Sequence, residues 1–526
     1  LGGLKAMDLI LSGRSIDGRT GKRMGLVDLV VPERHLRAAA RKLILEAPAP
    51  HQPRWPDRLS NNALLRPLLA RVFSQQVGKR ASRKHYPSPY AMIDIWRKHA
   101  TDKQGMLDAE AQSLAQLITG ATAQNLVRVF FLQEQLKSLG KDKGYQPKYV
   151  HVIGAGTMGG DIAAWCAFRG FHVSLQDQSP ERIAPALKRA HDLFTRKLKR
   201  PIKINEAMDR LVPDHRGIGV ERADIVIEAI FEDAEVKRSL YKDIEPRMKP
   251  LALLATNTSS IPLEELYSAL SRPERLVGLH FFNPVAMMQL VEIVKGESTS
   301  AQAAAQAMTF TRQIDRLPLP VSSTPGFLVN RILMPYLMEA VLLEAEGVPA
   351  TVIDKAATDF GMPMGPVQLA DTVGLDICLH VARILAGHFN ATVPDRLEKL
   401  VADGHLGRKS GHGFYEYKNG KPVKHKATAG NWNLEEITNR LIFRLLNESV
   451  CCVREHVVDS SDLLDAGMIF GTGFAPFRGG PMHHIDAVGA AAINQQLQSL
   501  KSLRGERFTP DHGWNTLMQS SGGSSA

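Results

Sequence analysis

The side chains in this sequence best suited to move a proton are a histidine and a glutamate that lie twelve residues apart. His280 follows one apolar run, and Glu292 lies inside a second apolar run at residues 290–294. A carboxylate among apolar side chains needs a partner, because burying it unpaired is costly. If the two runs are neighbouring strands, Glu292 can fix the imidazole tautomer and stabilise its protonated form, which makes a general base. On its own, His280 would be equally consistent with an ordinary core histidine.

A glycine-rich turn between two predicted strands indicates a nucleotide site. An apolar strand leads into Gly154, Gly156 and Gly159 in the spacing G-x-G-x-x-G, and an apolar helix and a second strand follow. Asp177 ends the unit, 23 residues after Gly154. This order and spacing are those of a dinucleotide-binding fold.

Each residue of this unit has a distinct expected role. Gly154 permits the tight turn, Gly156 lets the backbone approach a pyrophosphate, and Gly159 lets the helix lie close to the strand. The N-terminus of the helix would face the phosphates. Asp177 would accept hydrogen bonds from the ribose hydroxyls and repel a 2′-phosphate, so we predict NAD rather than NADP as the cofactor.

The elements that must position these residues form a predicted open α/β sheet. Three further apolar runs, at residues 223–230, 251–255 and 276–279, each lead into polar residues. Ligands of such sheets bind just beyond the carboxyl ends of the strands, where these polar residues would lie. We therefore predict a doubly wound Rossmann domain at residues 146–325.

An internal repeat follows the predicted sheet. An Asn-Arg pair opens an apolar helix at Asn330 and again at Asn439, and a glutamate follows each asparagine by nine residues. Both copies then reach a Phe-Gly pair and a Gly-Pro turn. We predict two tandem all-α domains, at 326–428 and 429–515, and assign no chemistry to the second copy.

The residues before the sheet predict separate segments. Residues 1–46 contain the run G-L-V-D-L-V-V-P at 25–32, predicted as a strand between helices. They resemble the closing segment of a crotonase (enoyl-CoA hydratase) fold, with a generic helix–strand–helix unit as the alternative. Residues 47–145 are rich in proline and then helical, so we predict a helical linker. The start at Leu1 has the pattern of a domain interior, and we expect a piece of a longer protein.

Composition and charge narrow the classes of function. The 526 residues carry a net charge of +11, and no apolar run approaches the roughly 20 residues that cross a bilayer. A basic chain suits a nucleic acid, an anionic membrane surface or an anionic substrate such as a coenzyme A ester, and we find no nucleic-acid-binding motif. Four cysteines without a C-x-x-C pair indicate a reducing compartment. His483 and His484 lack further ligands at useful spacing, so we expect no metal.

Six motifs between residues 146 and 510 together resemble the 3-hydroxyacyl-CoA dehydrogenase family. They are G-A-G-T-M-G-G, E-A-I-F-E-D, N-T-S-S, H-F-F-N-P, V-E-I and P-G-F-L-V-N-R. With the crotonase-like start, the chain is similar to the multifunctional α subunits of fatty-acid β-oxidation, which fuse a hydratase to a dehydrogenase. The resemblance implies NAD-dependent oxidation of an L-3-hydroxyacyl-CoA to a 3-ketoacyl-CoA. It also implies a thiolase β subunit as the partner in a heterotetramer.

The same resemblance assigns roles to particular residues. It implies that His280 is the catalytic base and Glu292 its partner, and that Ser259 and Asn330 hydrogen-bond the reacting oxygen. Besides the three glycines and Asp177, the residues implied to contact the cofactor are Met158, Ile230, Glu232, Lys237, Asn257, Ser259 and Asn283.

Two other functions stay open on the sequence alone. The defining activity of the parent protein could be enoyl-CoA hydration, although the paired glutamates of that family lie upstream of the crotonase-like segment and are not in this chain. A non-catalytic NAD-binding or scaffold protein is the other, and we would expect it to lack the base or its partner. Sugar and 6-phosphogluconate dehydrogenases share the glycine turn without the H-F-F-N-P and V-E-I motifs. We expect a bacterial cytoplasmic enzyme, with the mitochondrial matrix as the alternative location.

Overall fold

The chain divides into two compact units, Leu1–Leu126 and Val127–Ala526. The computed structural model describes residues 1–49, 57, 59–142, 144–389, 392–424 and 432–522. Over these residues, no helix combines the length and the apolar character needed to cross a membrane.

The first unit is a set of helices around a small apolar core. Met7 of the first helix packs in one cluster with Ala70 and Trp96. The segment predicted at residues 1–46 therefore shares a core with part of the predicted linker, and the domain boundaries proposed from the sequence stay predictions. The helices are α1 (Gly3–Ser12), α2 (Gly18–Met24), α3 (Leu36–Glu46), α4 (Arg66–Gly78), α5 (Ser88–His99), α6 (Lys103–Ile118) and the start of α7 (Ala121–Ser138).

The prediction of a strand at residues 25–32 is wrong. These residues form neither strand nor helix, and Leu26, Val27, Leu29 and Val30 are between 40% and 50% exposed. A strand needs a neighbour to take its backbone hydrogen bonds, and the described residues of the first unit contain no other strand.

A mixed sheet of eight strands forms the centre of the first half of the second unit, as far as the chain is described. The strand order is β3-β2-β1-β4-β5-β6-β7-β8, and β7 and β8 run opposite to the other six. The order reverses between β1 and β4, which defines a doubly wound sheet and confirms the predicted fold class. The strands are β1 (Tyr149–Ile153), β2 (His172–Gln176), β3 (Leu211–Pro213), β4 (Ile225–Glu228), β5 (Leu253–Thr256), β6 (Leu276–Phe281), β7 (Leu290–Lys295) and β8 (Leu317–Ser322).

Helices cover both faces of this sheet, which explains the nearly continuous apolar sequences of its strands. In β4, Ile225 and Ile227 face one core with Ile162 of a covering helix, whereas Val226 faces the other core with Tyr241. The helices of this half are the rest of α7, α8 (Thr157–Phe168), α9 (Pro180–Leu198), α10 (Pro201–Asp209), α11 (Ala234–Ile244) and α12 (Ala301–Gln313).

The rest of the described second unit is helical apart from a short ribbon, β9 (Tyr417–Lys418) and β10 (Lys421–Pro422). Two long helices open the predicted copies and pack against each other, and the predicted boundary between the copies, at residues 428 and 429, lies outside the described residues. The first group comprises α13 (Val329–Ala345), α14 (Ala350–Phe360), α15 (Pro366–Val373), α16 (Leu375–Phe389) and α17 (Asp395–Ala402). The second comprises α18 (Leu434–Arg454), α19 (Ser461–Thr472), α20 (Pro481–Val488), α21 (Ala490–Arg504) and α22 (Gly513–Gly522).

The repeated motif of the two copies forms a reciprocal contact. Arg331 on α13 lies 2.7 Å from Glu448 on α18, and Arg440 on α18 lies 2.6 Å from Glu339 on α13. Both arginine side chains are almost fully buried. Each arginine thus pairs with the glutamate of the other copy, and the repeat encodes the interface between the copies.

Candidate active site

Two antiparallel strands assemble the histidine–glutamate pair predicted from the sequence. His280 on β6 and Glu292 on β7 are directly opposite each other in the strand register. Nδ1 of His280 lies 2.6 Å from Oε2 of Glu292, and the residues are 5% and 0% exposed. The two strands are therefore neighbours, as the pairing required, and no described residue forms a hydrogen bond with Nε2 of His280.

The second oxygen of Glu292 joins this pair to the start of α13. Oε1 accepts the N–H groups of Leu328, at 3.1 Å, and Val329, at 2.9 Å. The first N–H groups of a helix have no partner within the helix, and the helix dipole favours a negative charge there. The buried carboxylate consequently has hydrogen-bond partners on both oxygens.

Asn330 and Ser259, which were predicted to act on the same oxygen, are in contact. Nδ2 of Asn330, in the first turn of α13, donates to the backbone oxygen of Ser259 at 3.1 Å. Asn257 connects the turn that contains Ser259 to β6, the strand of His280, because its Oδ1 accepts the N–H of Phe281 at 2.9 Å. The structure thus gathers the residues predicted to be catalytic at the carboxyl ends of β5 and β6.

Glu232 holds the turn that contains Ser259. Its Oε1 accepts hydrogen bonds from backbone and hydroxyl groups of Thr258, Ser259 and Ser260, at 2.7 to 3.1 Å. Burial acts to raise the pKa of Glu232, but the charge of Lys237 and these donors outweigh it and lower the pKa. The ionised Glu232 therefore fixes the turn and accepts a hydrogen bond from the hydroxyl of Ser259.

A buried ion pair that was not predicted from the sequence supports the same edge of the sheet. Glu228, the last residue of β4, lies 2.6 Å from Nζ of Lys237, and both are fully buried. Glu228 also accepts the hydroxyls of Tyr241, at 2.9 Å, and Thr256, at 2.8 Å. The ammonium group of Lys237, predicted to contact the cofactor, lies between Glu228 and Glu232, which is 3.6 Å away. An acid at the end of an otherwise apolar strand was the sequence signal for Glu228.

The glycine turn after β1 fits a pyrophosphate. A Cβ on Gly156 would meet no heavy atom within 4 Å among the described residues, so the turn is open at this point. A Cβ on Gly159 would collide with the backbone oxygen of Gly154, whose own φ is +103°. No side chain of the described chain caps the start of α8, which leaves its first N–H groups for an anion.

Asp177 lies beside the same turn. Its Oδ2 accepts the N–H of Ala155 at 2.7 Å. A carboxylate at this place can accept ribose hydroxyls and repels a 2′-phosphate, which fits NAD.

The remaining predicted cofactor residues lie along the carboxyl edge of the sheet. Met158 is half-buried in the first turn of α8, and the N–H of Ile230 donates to Oε1 of Glu228 at 2.8 Å. Asn283 is exposed and precedes Pro284 through a cis peptide bond. Apart from the buried Lys237, the predicted cofactor residues thus offer backbone and side-chain groups next to the ends of strands. A dinucleotide binds a doubly wound sheet at this edge.

This fold and site are those of a dehydrogenase that uses NAD. Residues 149–324 match the family 3-hydroxyacyl-CoA dehydrogenase, NAD binding domain, and residues 326–417 match 3-hydroxyacyl-CoA dehydrogenase, C-terminal domain. The chain belongs to the 3-hydroxyacyl-CoA dehydrogenase family and is an NAD-dependent oxidoreductase. Both matches describe a dehydrogenase, so hydration is not favoured as the activity of this chain.

Relatives and solved structures agree with this assignment. The chain is 34% identical to fatty acid oxidation complex subunit alpha of Shewanella baltica strain OS185, over 98% of this chain and 76% of the relative. The same protein of Vibrio cholerae O395 is also 34% identical, with the same coverage. The crystal structure of 3-hydroxybutyryl-CoA dehydrogenase from Escherichia coli K12 has a TM-score of 0.63 and 27% identity over 72% of this chain and 100% of that chain. The dehydrogenase part of multifunctional enzyme 1 from C. elegans has a TM-score of 0.53 and 25% identity over 75% and 99%. The family expected from the sequence motifs is thus confirmed.

Proposed function

We propose that the chain oxidises the 3-hydroxyl group of an L-3-hydroxyacyl-CoA to a ketone in fatty acid oxidation, with His280 as the catalytic base. The observation that supports this role most directly is the buried hydrogen bond of 2.6 Å between Nδ1 of His280 and Glu292. It leaves Nε2 as the proton acceptor, at the sheet edge that also carries the glycine turn. An imidazole held in this tautomer by a carboxylate is a general base.

The residues of the site divide the chemistry among them. NAD, when bound, supplies the acceptor for the hydride that leaves C3 of the substrate. Nε2 of His280 takes the hydroxyl proton, and Glu292 stabilises the resulting imidazolium through Nδ1. This removes the need to form a free alkoxide before C3 is oxidised.

The contacts refine the roles of the two groups assigned to the reacting oxygen. The hydroxyl of Ser259 donates to Glu232 in this structure, and rotation about its C–O bond would let it donate to the reacting oxygen instead. The amide of Asn330 has two N–H bonds and uses one on the backbone oxygen of Ser259. Its second N–H is the donor that stabilises charge on the oxygen as the ketone forms.

We also infer the setting of the reaction from the names of the relatives, which are α subunits of bacterial fatty acid oxidation complexes. The product, a 3-ketoacyl-CoA, is the substrate of a thiolase. The chain would therefore assemble with a thiolase β subunit as a heterotetramer in the bacterial cytoplasm. Co-expression with such a subunit, followed by size-exclusion chromatography, tests this assembly.

The decisive experiment follows the absorbance of NADH with an L-3-hydroxyacyl-CoA as substrate. His280→Ala should lose about 10²- to 10⁴-fold in kcat and keep its affinity for NAD, because general base catalysis contributes about that much. His191→Ala, on the exposed side of α9, is the matched control and should keep its activity. Loss of less than tenfold in His280→Ala would place the base elsewhere. A wild-type chain that binds NAD without turnover would favour the binding-only alternative.

A further inference from the structure

We propose that Glu448 and Glu455, in the second helical copy, are positioning residues for the active site and act through Arg331. The inference rests on the proposed function, because it concerns how Asn330 and Glu292 are held. Neither glutamate lies in the set of residues that would touch the substrate or the cofactor.

The guanidinium of Arg331 is the contact through which the second copy reaches the site. Its Nε donates to Glu448 at 2.7 Å and its Nη2 donates to Glu455 at 2.6 Å. The Arg331 side chain is only 3% exposed. A planar guanidinium held at two nitrogen atoms cannot shift without losing charge-assisted hydrogen bonds. Arg331 therefore fixes the first turn of α13 against the end of α18.

That first turn carries two contacts of the proposed site. The N–H of Val329 binds Glu292, the partner of the base, and Nδ2 of Asn330 binds the backbone of Ser259. Arg331 is the next residue along the chain. A displacement of the turn would lengthen both contacts, and a misplacement of about 1 Å in an active site can cost about 10²-fold in rate.

The other half of the reciprocal contact, at Arg440, offers a control that does not border the site. Arg440, on α18, pairs with Glu346 at 2.6 Å, as well as with its partner Glu339. Glu346 directly follows α13 and lies about 24 Å from Asn330 along the helix axis, at about 1.5 Å per residue. Glu448→Gln and Glu346→Gln each remove one negative charge beside a buried arginine of the same interface. Of these two arginines, only Arg331 adjoins the turn with Asn330.

A double-mutant cycle tests the inference with the intact chain. We expect Glu448→Gln to lower kcat about tenfold with little change in NAD affinity, as a partial displacement would. In an Asn330→Ala background the same substitution should have a clearly smaller effect on kcat, because only the contact of Val329 with Glu292 is then left to be displaced. Glu346→Gln should keep kcat within about twofold of wild type. Melting temperatures of all variants show whether stability alone accounts for the losses.

The arms of the cycle separate the inference from the proposed function. Equal fold-losses from Glu448→Gln with and without Asn330 would overturn the positioning role, as would an unchanged kcat in the single variant. Glu455→Gln, whose parent side chain is 36% exposed, is the milder second variant and must show the same coupling. An Asn330→Ala enzyme with wild-type kcat would refute the proposed site itself, and the inference with it.

Discussion

Replacing Glu292 by glutamine tests how the proposed base is held. The substitution keeps the size of the side chain, removes its charge and leaves a single acceptor oxygen. Two backbone donors, Leu328 and Val329, bind one side of Glu292, and His280 binds the other. The amide oxygen should face the two backbone donors, so its NH₂ group faces Nδ1. His280 then has to carry its proton on Nε2, the atom that must accept the substrate proton.

Loss of the negative charge adds to the wrong tautomer. Two unit charges about 4 Å apart interact by about 4 kcal/mol at an effective dielectric constant of about 20. In the proposed mechanism this energy stabilises the imidazolium that forms as the substrate is oxidised. Because about 1.4 kcal/mol corresponds to a tenfold change in rate, its loss corresponds to about 10³-fold. We therefore expect kcat to fall by about 10³-fold or more, comparable to the loss of about 10⁴-fold for the Asp-to-Asn exchange in a serine protease triad.

The assay is the initial rate of NADH formation at saturating substrate, together with the Kd for NAD. Glu297→Gln is the control, because Glu297 lies two residues beyond β7 and is exposed. It should keep wild-type activity, and both variants should bind NAD. A Glu292→Gln enzyme that retains more than a tenth of the wild-type kcat would refute the reasoning, because neither the tautomer nor the charge would then matter.

Three other outcomes concern the cofactor turn and stability. Gly156→Ala should weaken NAD binding about tenfold or more in calorimetry and leave the melting temperature unchanged. Gly159→Ala should lower the melting temperature. A lower melting temperature for Gly156→Ala and an unchanged one for Gly159→Ala would contradict the geometry of the turn. Lys237→Met should lower the free energy of unfolding in urea by about 3–5 kcal/mol, because it leaves Glu228 buried without a cation, and a smaller change would mean that the pair is dispensable. Burial lowers the pKa of His484 to about 4. A folded-state pKa below the unfolded value of about 6.5 makes stability fall as the pH drops from about 6.5 to about 4. Between pH 7 and pH 5 the wild type should thus lose about 2 kcal/mol more than His484→Gln, and equal losses would exclude this effect.

The sheet and its cofactor edge could be predicted because their signals are local. One strand–helix–strand unit contains all of them: the positive φ of Gly154, the open side of Gly156 and the acid after β2. The strand prediction at residues 25–32 failed for the opposite reason. Its apolar pattern is local, but a strand exists only with a neighbour, and the described first unit supplies none.

Contacts between elements were predictable only where a buried carboxylate clearly needed a partner. Glu292 lies inside an apolar strand, and its need for a partner led to His280. Glu228, at the end of β4, also needs a partner, and the same reasoning would have assigned it the cation of Lys237, nine residues later. The hydrogen bonds of Glu232 to the turn after β5 had no such signal, because serine and threonine hydroxyls are satisfied equally well by water.

The two helical copies show that a repeated motif can keep one contact and differ in another. Asn330 and Asn439 hold the same place in the motif, and the arginine after each pairs with a glutamate of the other copy. The amide of Asn439, however, contacts Gln496 of its own copy at 3.4 Å, whereas that of Asn330 reaches the turn of the sheet domain at Ser259. The motif therefore specifies the interface in both copies, and of the two asparagines only Asn330 reaches the turn beside the proposed base and its partner. The sequence could show the repeat, but the crossing of its arginines and glutamates between the copies depends on how the two helices pack.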